Sequence, residues 1–240
     1  MENKTLSSII IALAIIASTF ILSGVLKDFN KSKQTINVTG SAKRDIVSDL
    51  GKLTISISVV ANSQLEGMRE INKQKPALID FLKKKGIADS DIKVQPVSSY
   101  PNYVYSSNGY QTGKIESYNV TQEISMQSND VNLIESISLE ASALLEQGLS
   151  VQIYRPEYYY TKLAPLKIEI QSEAAGDAKN RAAKIAEATG RKIGPLTSAR
   201  MGVLQITPEN SNNISDYGMN DVSSIKKEIT AVVNATFLVD

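Results

Sequence analysis

The sequence contains no cysteine, no histidine and no tryptophan. Without cysteine there are no disulfides, thiolate nucleophiles or thiolate metal sites. Without histidine as well, a Ser-His-Asp triad, a Cys-His pair and an ordinary zinc site are excluded. An excess of charge is also missing, since 26 Lys and Arg stand against 25 Asp and Glu for a formal net charge of +1. That balance leaves no electrostatic footprint for nucleic acid, and no nucleic-acid partner, cofactor or metal is expected. Acid–base chemistry would fall to carboxylates, Tyr, Lys and Ser, and a glycosidase would need two carboxylates across one cleft. The nearest pairs are Asp45 with Asp49 and Asp89 with Asp91. Each stands beside a strand or helix start, where Asp commonly caps or turns the chain. With no convergent acid, base and oxyanion donor to name, the chain is expected to be non-catalytic.

What the sequence does have is an uncharged apolar run, Leu6 to Leu26, LSSIIIALAIIASTFILSGVL. At 1.5 Å per residue a helix of this length reaches roughly 30 Å, the hydrocarbon thickness of a bilayer. The run exceeds the about 7–15 residues of a signal-peptide core, and Val25 and Leu26 spoil the small pair Ser23-Gly24 as a cleavage site. Apolar residues all round the helix also argue against a buried core helix with one apolar stripe. An uncleaved signal anchor over residues 1–28 is expected, with cleavage after Ser23 or Gly24 and a secreted or periplasmic product as the alternative. Flanking charges orient it weakly. By precedent for short N-terminal anchors, the C-terminal part lies outside the cytoplasm. Residues 29–35 are polar and read as a tether, leaving an extracytoplasmic domain over 36–240.

The domain reads as α+β. Lys52 to Val60 alternates cleanly, with Leu53, Ile55, Ile57 and Val59 on one side and Thr54, Ser56 and Ser58 on the other, a half-buried antiparallel strand. Ser63 and Glu66 form a capping-box pattern before a helix carrying Leu65, Met68, Ile71, Leu78, Ile79 and Leu82 and ending at Lys85-Gly86. Pro76 would kink or split it. Lys83, Lys84 and Lys85 suit a solvated helix end. Strands over 92–100 and 115–127, a helix over 130–146 and a strand over 149–155 follow. The order β-α-β-β-α-β is that of a ferredoxin-like unit, with helices packed on a mainly antiparallel sheet. Beyond it comes a long helix with an alanine-rich stripe, Leu166, Ile170, Ala174, Ala178, Ala182, Ile185 and Ala186. A C-terminal β-hairpin completes the unit: a strand over 196–206, a polar insertion over 208–224 and a final alternating strand over 228–239 that joins the sheet.

Several segments together resemble the SIMPL-domain proteins, a bacterial cell-envelope family that includes periplasmic immunogenic proteins. They are Ile36-Asn37-Val38-Thr39-Gly40-Ser41, the segment from Gly86-Ile87 through Asp91-Ile92 and Pro96 to Tyr100, and the block from Asp177-Ala178 through Arg181-Ala182-Ala183, Ile185-Ala186 and Gly190 to Ile193-Gly194. Ser48 before Asp49 and Ser117 before Tyr118 depart from the family pattern. The resemblance implies an extracytoplasmic α+β protein, in some relatives a large homo-oligomer, linked to envelope stress, with no established catalytic residues.

Two non-catalytic readings follow. In one, the domain self-associates outside the membrane through a sheet edge or the alanine-rich helix. In the other, it is a monomeric module that captures an unidentified ligand or envelope partner through Tyr100, Tyr103, Tyr105 and Tyr110, with Tyr158-Tyr159-Tyr160 as a secondary surface. The same tyrosines also suit strands flanking a hairpin around Asn108-Gly109.

Overall fold

The alternation of Lys52–Val60 forms the central strand of one of two sheets. In the computed structural model, which describes residues 12–23 and 34–240, it lies in β2 (Leu50–Ala61), flanked by β5 (Gln111–Ser128) and β6 (Val151–Ile153). β3 (Ile92–Val94) and β4 (Ser98–Tyr105) pair with β5, and β7 (Glu157–Tyr159) pairs with the start of β2. The path β3-β5-β2-β6 is antiparallel at every step. β2 and β3 therefore run in one direction with β5 between them, the strand order of the split β-α-β unit.

Leu53, Ile55 and Ile57 of β2 share one core with Ile71, Leu78 and Leu82 of α2 (Gln64–Lys84) and with Ile134 and Ile137 of α3 (Val131–Glu140). The Ser63 hydroxyl caps α2 by accepting from the Glu66 N–H at 3.2 Å, and Gly86 ends it at φ +97°. Pro76 does not split this helix. Its buried stripe is Gly67, Ile71, Leu78 and Leu82, whereas Leu65 and Met68, expected in the core, are exposed. At about 100° per residue Leu65 stands roughly 160° from Gly67. The expected helix over 130–146 divides into α3 and the single turn α4 (Ala143–Glu146). Three serine hydroxyls, of Ser136, Ser138 and Ser142, bond to carbonyls three residues back and compete with the helical ladder.

The C-terminal strand does not join this sheet, which corrects the expectation. β11 (Lys226–Val239) pairs along its length with β1 (Thr35–Val47), and on its other side with β8 (Ile193–Met201) and then β9 (Gln205–Pro208). β10 (Met219–Asn220) adds to β9 from within the polar insertion. The strand expected over 196–206 is thus broken at 202–204. Helix α5 (Leu163–Ala188) packs on this second sheet, burying Leu166, Ile170, Ala174, Ala178 and Ala182 in a separate core with Ile229, Ala231, Val233 and Phe237, and Ala186 is buried as well. Ile185 stands off that stripe and is exposed. The alanines are consumed within the chain: a Cβ on Gly40 of β1 would lie 2.3 Å from the Ala174 carbonyl oxygen and 2.3 Å from the Ala178 nitrogen. Helix backbone therefore rests directly on strand backbone, and this stripe is closed to a second subunit.

Of the apolar run Leu6–Leu26, residues 12–23 form helix α1 and the remainder lies outside the described residues. Leu13, Ile15, Ile16, Phe20, Ile21 and Leu22 are all exposed. Among the described residues no helix is long and apolar enough to cross a membrane. The expected single-pass span is therefore not supported by what the structure describes.

Candidate functional site

The tyrosines singled out in the sequence lie on a β4–β5 hairpin. Its turn is closed by the Gly109 N–H donating to the Ser106 carbonyl at 2.9 Å, with Gly109 at φ +78°, a region glycine enters without a Cβ penalty. β4 and β5 stay paired as far out as Tyr103 opposite Ile115 and Tyr105 opposite Gln111. Tyr100, Tyr105 and Tyr110 are 67%, 65% and 76% exposed, and Tyr103 is half-buried. The hairpin reading and the exposed aromatic surface therefore coexist, since the strands that pair the backbone also present the rings.

The second tyrosine group is mixed, with Tyr159 and Tyr160 half-buried and Tyr158 enclosed. Tyr158 is 4% exposed and belongs to the first core. It marks the junction of the two sheets, where its N–H donates to the Val222 carbonyl at 2.7 Å. Close by, Lys227 of β11 is 2% exposed, and its ammonium donates to the Tyr158 carbonyl at 2.6 Å and to the Asp221 carbonyl. Burial pushes the Lys227 ammonium below the usual lysine range, and the nearby Asp221 carboxylate opposes that shift. A cavity of about 60 Å³ adjoins these groups, lined also by Ile46, Leu163 and Ile206. It has room for water but not for a substrate. With both carbonyls bonded, Lys227 acts as a pin between the halves. Sequence reading missed it, although Lys227 shares the inward parity of Ile229, Ala231 and Val233.

The carboxylates resolve in the same way. Asp49 accepts from the Thr161 N–H at 2.7 Å and from its hydroxyl at 2.8 Å, a loop-to-loop clasp. Asp89 pairs with Lys83 at 2.7 Å across the helix end, while Asp91 closes the same short turn and lines a shallow depression with Lys52 and Glu157, so the two do not share a cleft. The structure instead brings together two carboxylates that sequence reading did not pair. Glu123 and Glu157 share a shallow depression with Lys52, Tyr154 and Arg155 on the open face of the first sheet. The Tyr159 hydroxyl donates to Glu157 at 2.7 Å, which raises the phenol above its usual range, and burial adds to the effect. Among the described residues no cluster of acidic groups forms a metal site.

The motif block in α5 has a packing role. The Asp177 carboxylate accepts from the Ser41 N–H on the outer edge of β1 at 2.9 Å and from Arg181 at 2.7 Å. The backbone bond first, then the Arg181 bond, hold Asp177 below the usual carboxylate range. Arg44 of β1 reaches Glu169 at 2.7 Å and also Glu173. The motif thus fastens the helix to the strand beneath it.

Comparison with known proteins agrees with this reading of the motifs. Residues 36–237 match the family described as SIMPL, protein of unknown function (DUF541). The 26 kDa periplasmic immunogenic protein of Brucella melitensis is 26% identical over 212 residues, covering 80% of this chain and 84% of that protein. The uncharacterized protein YggE is 24% identical over 178 residues in Escherichia coli K12, covering 72% and 68%, and 23% identical over 174 residues in Edwardsiella ictaluri, covering 71% and 69%. With the family matched across both sheets and all the helices that cover them, the chain belongs to the SIMPL family.

Proposed function

We propose that the chain is a membrane-anchored, extracytoplasmic and non-catalytic module of the cell envelope that self-associates through the open edge of its second sheet. The observation carrying this reading is the contrast between the two edges. β1 is guarded: its Ser41 N–H is taken by Asp177, and Arg44, Glu169 and Glu173 place charges beside it. β8 has no such cover. Residues 195–201 are all exposed, and among the described residues β8 pairs only with β11. Because the Gly202 N–H donates inward to the Val232 carbonyl, the N–H groups of Ala199 and Met201 face outward by strand alternation, up to the register shift at Thr197. A second β8 can add there about a two-fold axis and continue the sheet. The word periplasmic in the name of the Brucella relative supports the location. The uncharged run Leu6–Leu26 supports the anchor.

The test is the mass of the full chain in detergent, by light scattering. A discrete oligomer that falls to monomer in Ala199→Pro, with unchanged circular dichroism, is the expected result. A monomeric wild type, or an oligomer indifferent to that proline, would sink the reading. The second reading, partner capture by the hairpin, is favoured by the exposure of Tyr100, Tyr105 and Tyr110. It expects Tyr103→Ala with Tyr105→Ala to leave the mass unchanged and to abolish capture of an envelope partner.

A further inference from the structure

The open face of the second sheet, opposite α5, carries a groove of about 610 Å³, within the size range of small-molecule sites. Its floor is β11, through Thr230 and Val232; one wall is the β8–β9 break, with Met201 and Val203; the other is the insertion loop around Ile214. That loop is held in place from across the groove. The Gln205 side-chain amide donates to the Ser215 carbonyl at 2.7 Å and accepts from the Ser215 N–H at 3.4 Å. Met201, Val203 and Ile214 are exposed although they face one another across a preformed depression. A depression of this volume with apolar walls suits the apolar part of a small ligand.

The polar end of the groove narrows the choice of occupant. Lys43 meets Glu228 at 2.8 Å, so the two charges cancel, and the Thr230 hydroxyl adds a bond to the same Glu228 oxygen at 3.4 Å. The ammonium keeps two N–H groups and the carboxylate keeps its second oxygen, a donor and an acceptor side by side. A carboxylate ligand would gain Lys43 but face Glu228, with Asp216 as a further negative charge in the lining. An amine would gain Glu228 and Asp216 but face Lys43, which already takes one Glu228 oxygen at 2.8 Å. A carboxamide satisfies both. We infer that this groove is a binding site for a neutral amphiphile, an apolar chain ending in an amide, with the chain along Met201, Val203, Val232 and Ile214 and the amide on the Lys43–Glu228 pair.

The test titrates hexanamide, hexanoate and hexylamine into the isotope-labelled full chain in lipid nanodiscs, following backbone amide shifts. The expected result is saturable shifts at Val203, Gln205, Ile214 and Val232 with hexanamide, at least about tenfold tighter than with either charged analogue. Ile214→Asp changes an exposed loop side chain, so the fold should survive while hexanamide affinity falls about tenfold or more. Gln205→Ala, which frees the wall, should weaken binding as well. Non-saturating shifts, shifts scattered elsewhere, equal affinity for the three head groups, or an Ile214→Asp variant that binds as before would each overturn the assignment.

Discussion

At the scale of single residues, two positions decide how α5 meets β1. Gly40 has no room for a methyl group, because the atoms it would strike are helix backbone and cannot rotate away. Gly40→Ala should cost about 3 kcal/mol, at the upper end of overpacking penalties, read as a lower midpoint in urea. Asp177 acts through a bond to a strand-edge N–H, and its folded pKa lies below that of a free carboxylate. Its contribution is therefore complete above the range in which a free carboxylate titrates, and is lost as pH falls through the lower folded value. Asp177→Asn should lower stability at neutral pH, and the gap from wild type should close on acidification below about pH 4. Denaturant melts at several pH values check this; a gap that stays constant would mean the carboxylate's charge plays no part.

Among the elements, α2 and the β4–β5 hairpin stand at opposite limits of constraint. α2 runs unbroken through Pro76, whose ring is exposed and whose missing N–H costs the ladder one bond. Pro76→Ala should stabilise the chain by about 1–2 kcal/mol, the helix-interior penalty of proline less the unfolded-chain entropy it removes. An equal or lower thermal midpoint would show that the neighbouring carbonyl has found another partner. The hairpin beyond Tyr103 contributes nothing to either core. Its Asn108-Gly109 turn was legible in the sequence because it is a local signal. The split between α3 and α4 was not, because serine back-bonding to nearby carbonyls leaves no mark in the apolar period.

For the whole molecule, the central fact is that each sheet has its own core and the two are joined by hydrogen bonds more than by a shared apolar layer. Ser48 N–H to the Ile225 carbonyl, Tyr158 N–H to the Val222 carbonyl and the Lys227 ammonium form that seam. Lys227→Met would leave two inward carbonyls without a donor and should cost about 2–4 kcal/mol. Native-state hydrogen exchange should then separate the opening of β11, followed at Ala231, from that of β2, followed at Ile55; a single shared opening energy in the variant would refute the pin. The sequence by itself determined where most helices and strands lie, the inward parity of Lys52–Val60 and the order of the split β-α-β unit, because these follow from periods of 2 and 3.6 residues and from local caps and turns. The runs read as single elements over 92–100, 130–146 and 196–206 each proved to be two. Only the tertiary structure decided that the chain's ends, β1 and β11, leave that unit to build a second sheet, that the alanine stripe is spent on Gly40, and that Lys227 is buried. Those outcomes depend on which segments distant in the chain approach one another, and alternation names the face of a strand without naming its neighbour.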